Sequence, residues 1–581
     1  MNRRFGFKGF FPVFALASML VQAAAGADFA SLAPADAYLF FSVDDRTRFE
    51  EALLKTPLAK MWNDPEIERF TAPMRRKLEE AKTRAQSEWG VSVQEIKALF
   101  PGQIALWAES LEPYKPDEWG AVLVAERTES PAKYRALMEK ALEKYVPYTI
   151  EKSKESAGGT PMYAARWDSS ETLAEKPPYP TAHSFLYAFP EGLFVAAFDG
   201  DESIPRLLAR AKNKSDALAA NSAVRRMLAN RGEAFAWGFA NLASIMNVVE
   251  ENMAAGAAEG MKPNFEASGL RGLLDLGYSI RLREDRSDFE MRMRVEAEPK
   301  GFAAAAAQFG ALDRSILRMA PSDFLTVYGF SYDIPSGSKA LLDGFRALIP
   351  TAPMIVGMAD GVAMAQTGMS LERDLIPAFG KEVAVCSEAS KTAPDGVATT
   401  AAIALKNAET LKSALETFLQ RGGAGAPIRK SEFLGANVYS YSVPALDESA
   451  PEQEQALIVS ASHLIVSSSA DSAKAALRRL SGKDADNFLD RKAGELIRPE
   501  RGAKLAGVSI SDEAQQMETV WPMFEDAIAM LASSGDGGLK DWIDSSALPQ
   551  AETLKKYLPI SIGYIYAEPD GFRMMESIAN R

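Results

Sequence analysis

Few residues in this 581-residue chain could carry acid–base, nucleophilic or metal chemistry. There are two histidines, His183 and His463, and one cysteine, Cys386. Neither histidine has another at i+3 or i+4, and no H-E-x-x-H occurs, so a histidine-built zinc site lacks its three or four ligands. His183 follows a Pro-rich stretch (Lys176-Pro177-Pro178-Tyr179-Pro180) that reads as an exposed loop. His463 falls in a hairpin turn, where a polar residue is expected for local reasons. Neither is expected to be catalytic or ligating. Cys386 lies in an apolar strand pattern (KEVAVCSEA) and reads as a small core residue.

Two S-x-x-K pairs occur, Ser130 with Lys133 and Ser336 with Lys339. The penicillin-recognising enzymes also need S-D-N and K-T-G elements; the nearest strings, Ser322-Asp323-Phe324 and Lys391-Thr392-Ala393, fail. Ser130 reads as a helix cap instead. Asp199-Gly200-Asp201-Glu202-Ser203 opens like a calcium loop, but Ile204 stands where that loop needs Gly and Arg210 where it needs Glu. Asp201 and Asp471 read as helix caps. No G-x-S-x-G elbow, phosphate loop or dinucleotide fingerprint is present. The sequence therefore assigns no catalytic, cofactor-binding or metal-binding residue and leans away from an enzyme.

The elements that would position any site are those of an ordinary globular protein, 47% hydrophobic and 25% charged. Residues 1–27 read as an export signal: Arg3, Arg4 and Lys8, an apolar run over 9–21, then Ala23-Ala24-Ala25-Gly26-Ala27. Cleavage is expected after Ala25 or Ala27, by the general secretory or the twin-arginine route, leaving no transmembrane helix. The net charge is −13 over the whole chain and −16 once the three basic residues of the signal are gone. An acidic protein of this kind repels a phosphate backbone, so nucleic acid is not an expected partner. A large exported chain that cannot form an internal disulfide points to a bacterial periplasm or exterior.

The chain is internally repeated. Ala33-Pro34-Ala35-Asp36 and Ala320-Pro321-Ser322-Asp323 each precede an apolar strand at an offset of 287, and Leu276-Gly277-Tyr278 resembles Ile562-Gly563-Tyr564 at an offset of 286. Between these ends the strand, helix and hairpin signals recur in one order. The expected architecture is α+β: a tandem duplication of an antiparallel-sheet-plus-helices unit, with repeats at 28–300 and 318–581 and an Ala-rich helical link at 301–317. Matched positions are Pro, Gly, Asp, Tyr and apolar residues, and no polar triad recurs.

The halves differ at one place. Residues 64–90 are strongly charged and helical in pattern, whereas 350–370 are almost uncharged and carry Met354, Met358, Met364 and Met369. The second segment reads either as a helix buried between the halves or as one wall of an apolar groove. Residues 242–261, with Met246, Met253 and Met261, pose the same choice.

The export signal, the opening Leu32-Ala33-Pro34-Ala35-Asp36, the run Thr56-Pro57-Leu58-Ala59-Lys60-Met61-Trp62-Asn63-Asp64-Pro65 and Phe100-Pro101-Gly102-Gln103 resemble those of large exported bacterial proteins grouped as a domain of unknown function. The resemblance implies an envelope location and supplies no activity or site residues. Sequence alone thus points to a non-enzymatic binding or structural module of the envelope, with an envelope protein or an apolar, lipid-like ligand as partner and no cofactor. A carrier of an apolar ligand is the alternative, and a hydrolase with an unrecognised site ranks below both. Protein recovered from an exporting host should begin at Gly26 or Asp28 by N-terminal sequencing; retention of Met1 in a membrane fraction would show the apolar run acting as an anchor.

Overall fold

The computed structural model describes residues 29–579 apart from 91, 111–119, 147–148, 169–181, 214–215, 231–233, 257–260, 284–285, 391–392, 394–395, 422–427, 444–452 and 534–541. The export segment and the Pro-rich stretch before His183 lie outside these residues. Among the described residues, ten strands form in each half of the chain. The first set is β1 (Leu39–Val43), β2 (Ile104–Ser110), β3 (Gly120–Glu126), β4 (Glu151–Ala157), β5 (Thr160–Asp168), β6 (Ala182–Ala188), β7 (Leu193–Phe198), β8 (Ala236–Ala240), β9 (Leu273–Leu282) and β10 (Arg286–Val295). The second is β11 (Thr326–Ser331), β12 (Phe379–Ala389), β13 (Val397–Leu405), β14 (Ile428–Phe433), β15 (Ala436–Val443), β16 (Gln453–Val459), β17 (His463–Ser467), β18 (Leu505–Asp512), β19 (Ile560–Glu568) and β20 (Gly571–Ala579).

All twenty join one antiparallel sheet. The first ten pair in the order β4-β5-β6-β7-β3-β2-β1-β8-β9-β10. The second ten repeat that order as β14-β15-β16-β17-β13-β12-β11-β18-β19-β20. The sets meet where β10 pairs with β20 from Arg286↔Ala579 to Arg294↔Gly571. The outermost strands, β4 (EKSKESA) and β14 (IRKSEF), are charged and exposed, which discourages pairing with another chain.

Six helices matter below: α1 (Ala72–Trp89), α2 (Ser203–Lys212), α3 (Leu242–Gly256), α4 (Ala352–Thr367), α5 (Ala470–Leu480) and α6 (Glu513–Ser533). One face of the sheet is covered in each half by a large core. Trp107, Trp237, Phe40 and Val124 pack with Ile204 and Leu207 of α2, and Cys386, Ile510, Val327 and Tyr566 pack with Ala473 and Leu477 of α5. Burial pushes the Cys386 thiol up to about 12, so it serves as a small core side chain, as its strand pattern suggests.

A polar group recurs between the halves, contrary to the sequence comparison. Arg210 of α2 donates to the Leu32 carbonyl (2.9 Å) and to Glu109 of β2 (2.7 Å). Arg479 of α5 donates to the Met319 carbonyl (2.7 Å) and to Glu388 of β12 (3.3 Å). Each guanidinium ties a helix, a strand and the segment leading into its half, under nearly complete burial. The partners lie far apart in sequence at unequal offsets, which hid the correspondence.

The link and the caps also differ from expectation. Only Gly301–Ala306 is helical, and a 3₁₀ turn forms at Arg314–Met319. Between them Phe309 leaves the helix to bridge Tyr332, its ring 5.4 Å from Tyr332 and 5.1 Å from Phe572. Tertiary packing overrides the helical preference of the Ala run. Asp201 does not cap α2; it pairs with Arg166 at 3.1 Å. Asp471 lies inside the first turn of α5, which Ser469 caps.

Replacing Arg479 by Met strands the Glu388 carboxylate and should cost about 3–5 kcal/mol in denaturant unfolding, most of it recovered when Glu388 is changed to Leu in the same chain. Additive losses in that double-mutant cycle would show the pair to be uncoupled.

Candidate functional site

The face of the sheet opposite the two large cores carries one row of side chains across all twenty strands. From the β4 edge it runs Lys154–Tyr163–Tyr187–Ala196–Leu123–Leu106–Phe41–Gly238–Tyr278–Met291. It continues Met574–Ile565–Gly507–Phe330–Val383–Ile403–Leu464–Val459–Asn437–Glu432. Every interior member from Tyr163 to Val459 is apolar, aromatic or glycine, and only the ends are polar. The absence of a Cβ at Gly238 admits the Tyr278 ring, which stacks on Phe41 at 6.2 Å. Burial there pushes the Tyr278 phenol up to about 12.

Toward the β4 and β14 ends, helices Pro131–Tyr145 and Ala408–Gln420 cover this face and close two small cores. Nearer the middle it is open. Leu39, Phe289, Tyr328 and Met574 each keep about two-fifths of their surface exposed. Strand alternation puts all four on the face of the row, since they belong to it or stand two residues from a member.

Helix α4 carries a second exposed apolar surface. It is not buried between the halves. Ala352 and Val356 turn inward, and it packs on helices Ile334–Leu348 and Ala408–Gln420. Asp360, its only charged residue, binds the Ser370 hydroxyl at 2.7 Å. Met354 and Met358 are 63% exposed and Val362 56%. The counterpart α1 begins with the same Thr-Ala-Pro-Met string (Thr71 to Met74, Thr351 to Met354) and then turns to Arg75, Arg76 and Lys77. Val249 and Met253 on α3, and Val520, Met523, Phe524 and Met530 on α6, are exposed as well. Patches of this kind mark binding surfaces in soluble proteins.

The opposite face of the central strands is charged. Arg226 pairs with Asp570 (3.2 Å), Arg292 with Glu568 (3.1 Å), and Arg294 donates to Asp275 (2.9 Å), lining a narrow cleft of about 40 Å³. Burial works against the nearby Arg573 cation, yet its hydrogen bonds to Glu500 and the charges of Glu290 and Glu568 hold its pKa above the usual arginine range. Each of these cations has a carboxylate partner, so the cleft joins strands of both halves and offers no spare cation to an anion.

His183 departs from the sequence reading, whereas His463 closes a hairpin turn as expected, its carbonyl accepting from the Ser460 N–H at 2.9 Å. His183 stands on β6, not in an exposed loop. Its Nδ1 lies 2.9 Å from Asp199 Oδ2, and its ring sits beside Phe198 and Trp167. Asp199, in the left-handed region at φ 50°, also accepts from the Ser184 N–H at 2.8 Å. An acid orients this imidazole as it would a catalytic one, but the described residues hold no group of three metal-binding side chains. His463 begins β17, half-buried, with Ser462 Oγ 2.8 Å from Nδ1. Burial holds its pKa below the usual imidazole value. The S-x-x-K lysines are engaged elsewhere: Lys133 with Glu129, Lys339 with Asp343.

No protein-family model matches the chain, and no curated protein does. Two solved structures of TP0453, crystal forms I and III, show a low likeness: 8% identity each and TM-scores of 0.20 and 0.23. They cover 47% and 48% of this chain and 80% and 84% of their own. Scores at that level carry no argument about this protein.

Replacing His183 by Leu leaves the Asp199 carboxylate without its side-chain partner and should cost about 1–3 kcal/mol of stability. For His463 the effect should depend on pH. The folded state binds this proton less readily than the unfolded chain, so the stability due to neutral His463 is present above about pH 6.5 and lost as pH falls below it. Denaturant unfolding at pH 7 and pH 5 should therefore show the wild type losing stability relative to His463→Gln; parallel curves would contradict this.

Proposed function

We propose that this protein is a non-enzymatic binding module of the bacterial envelope, exported and then freed of its signal, and that it holds a lipid-like apolar ligand. One observation carries the reading: α4 presents Met354, Met358 and Val362 to solvent with Asp360, held by the Ser370 hydroxyl, as its single charge, while its counterpart in the other half is strongly charged. The open apolar strip of the central sheet supports it. Flexible thioethers fit chains of varied shape, and an almost uncharged surface suits a ligand without charge along its length. The export signal and the resemblance to exported bacterial proteins support the location. We infer further that the repeated strand order records a tandem duplication in which one copy kept a solvated helix and the other became the binding element.

The test uses the full mature protein and a fluorescent fatty acid, dansyl-undecanoic acid. Saturable binding is expected, together with lipid detected by mass spectrometry in solvent extracts of protein purified from envelope fractions. The double variant Met354→Lys, Met358→Lys changes only exposed positions and should bind the probe at least about tenfold more weakly, the loss expected when burial of one such side chain is forfeited. Equal binding by the two proteins, or none by the wild type, would reject the reading.

A further inference from the structure

Met354 and Met358 stand one helical turn apart on the same flank of α4, and each is 63% exposed. Exposed thioethers are the sulfur atoms that oxidants reach, whereas Met138, Met162 and Met319 are almost wholly buried. Cys386 is sealed in the core and cannot intercept an oxidant first. Val362 continues the same flank and Ile355 adjoins it, so a change of polarity at the two sulfurs converts the centre of an apolar surface rather than its rim.

We propose that Met354 and Met358 form a reversible oxidation site that switches the apolar surface of α4 off. The oxidant class is peroxide, to which a protein outside the cytoplasm is open. Each thioether sulfur loses two electrons and takes one oxygen atom from hydrogen peroxide; the O–O bond breaks and the remainder leaves as water. The sulfoxide is polar and accepts hydrogen bonds from water, so the surface no longer gains by being covered. A dithiol reductase returns the two electrons, forming its own disulfide and releasing the oxygen as water. The inference rests on the binding reading above and adds its regulation.

The experiment treats the folded, full-length mature protein with limiting hydrogen peroxide and follows each methionine by peptide mass spectrometry. Sulfoxide should form at Met354 and Met358 at least about tenfold faster than at Met138, Met162 and Met319, and this difference should vanish in denaturant. Exposed methionines elsewhere, such as Met530 at 70% exposure, will react alongside. A Met354→Leu, Met358→Leu variant separates their effects, because leucine keeps the apolar surface and cannot be oxidised. Dansyl-undecanoic acid binding should fall at least about tenfold in oxidised wild type and return after treatment with methionine sulfoxide reductase, while the Leu variant, whatever its untreated affinity, should bind equally before and after peroxide. Slow oxidation at the two positions, or unchanged binding after they are fully oxidised, overturns the switch alone. Failure of the untreated wild type to bind the probe overturns the binding reading and the switch with it.

Discussion

The ladder between β10 and β20 is the contact on which the rest of the molecule depends. Each half would otherwise end on a bare strand, with unpaired backbone groups and half-buried apolar side chains. Pairing from Arg286↔Ala579 to Arg294↔Gly571 removes both edges at once and makes one sheet of two. It also sets Met291 opposite Met574, which makes the apolar row continuous between the halves. On the other face it brings Arg292 and Arg294 beside Glu568 and Asp570. A slip of one residue would turn these sets to the wrong faces, so the two surfaces together fix the register.

Helices fasten the same junction reciprocally. Residues of α1 and the helix before it meet the end of the second half: Met74 N–H donates to the Trp542 carbonyl (3.1 Å), Asp544 N–H to the Phe70 carbonyl (2.7 Å), and Tyr557 to Asp64 (2.8 Å). In the mirrored place Asn264 N–H donates to the Leu348 carbonyl (2.9 Å), and Gly344 approaches Ser268 and Gly301 too closely to carry a side chain. The frame therefore treats its halves alike, while α1 and α4 differ in chemistry. Each is anchored on one flank only, so the outer residues were free to diverge, and exposure of the apolar set on α4 asks for a functional reason rather than a packing one.

Much of the fold was legible in the chain. Strand alternation, hairpin turns and the repeated opening Ala-Pro-x-Asp expose themselves locally, and Cys386 in its apolar strand read correctly as core. The candidate surface was half legible. Four methionines in an almost uncharged stretch marked 350–370 as unusual, but apolar periodicity is the same for a buried helix and for one with an open side. The Asp199–His183 contact was missed because the carboxylate comes from the residue just past the neighbouring strand, sixteen residues on. Arg210 and Arg479 were missed because their carboxylates arrive from strands 101 and 91 residues away.

The sequence by itself determined the class of the protein: a signal-like start, an acidic globular composition, an α+β pattern whose signals recur in one order, and an absence of familiar catalytic motifs. These are properties of local pattern, set by side-chain polarity and backbone preference within a few residues. Tertiary structure alone decided that the two ten-strand sets share one sheet, that buried Arg–Glu pairs recur, that the Ala-rich link breaks where Phe309 turns toward Tyr332, and that α4 shows its methionines to solvent. Each depends on which distant segments come together, and burial belongs to the assembled surface rather than to any stretch of chain.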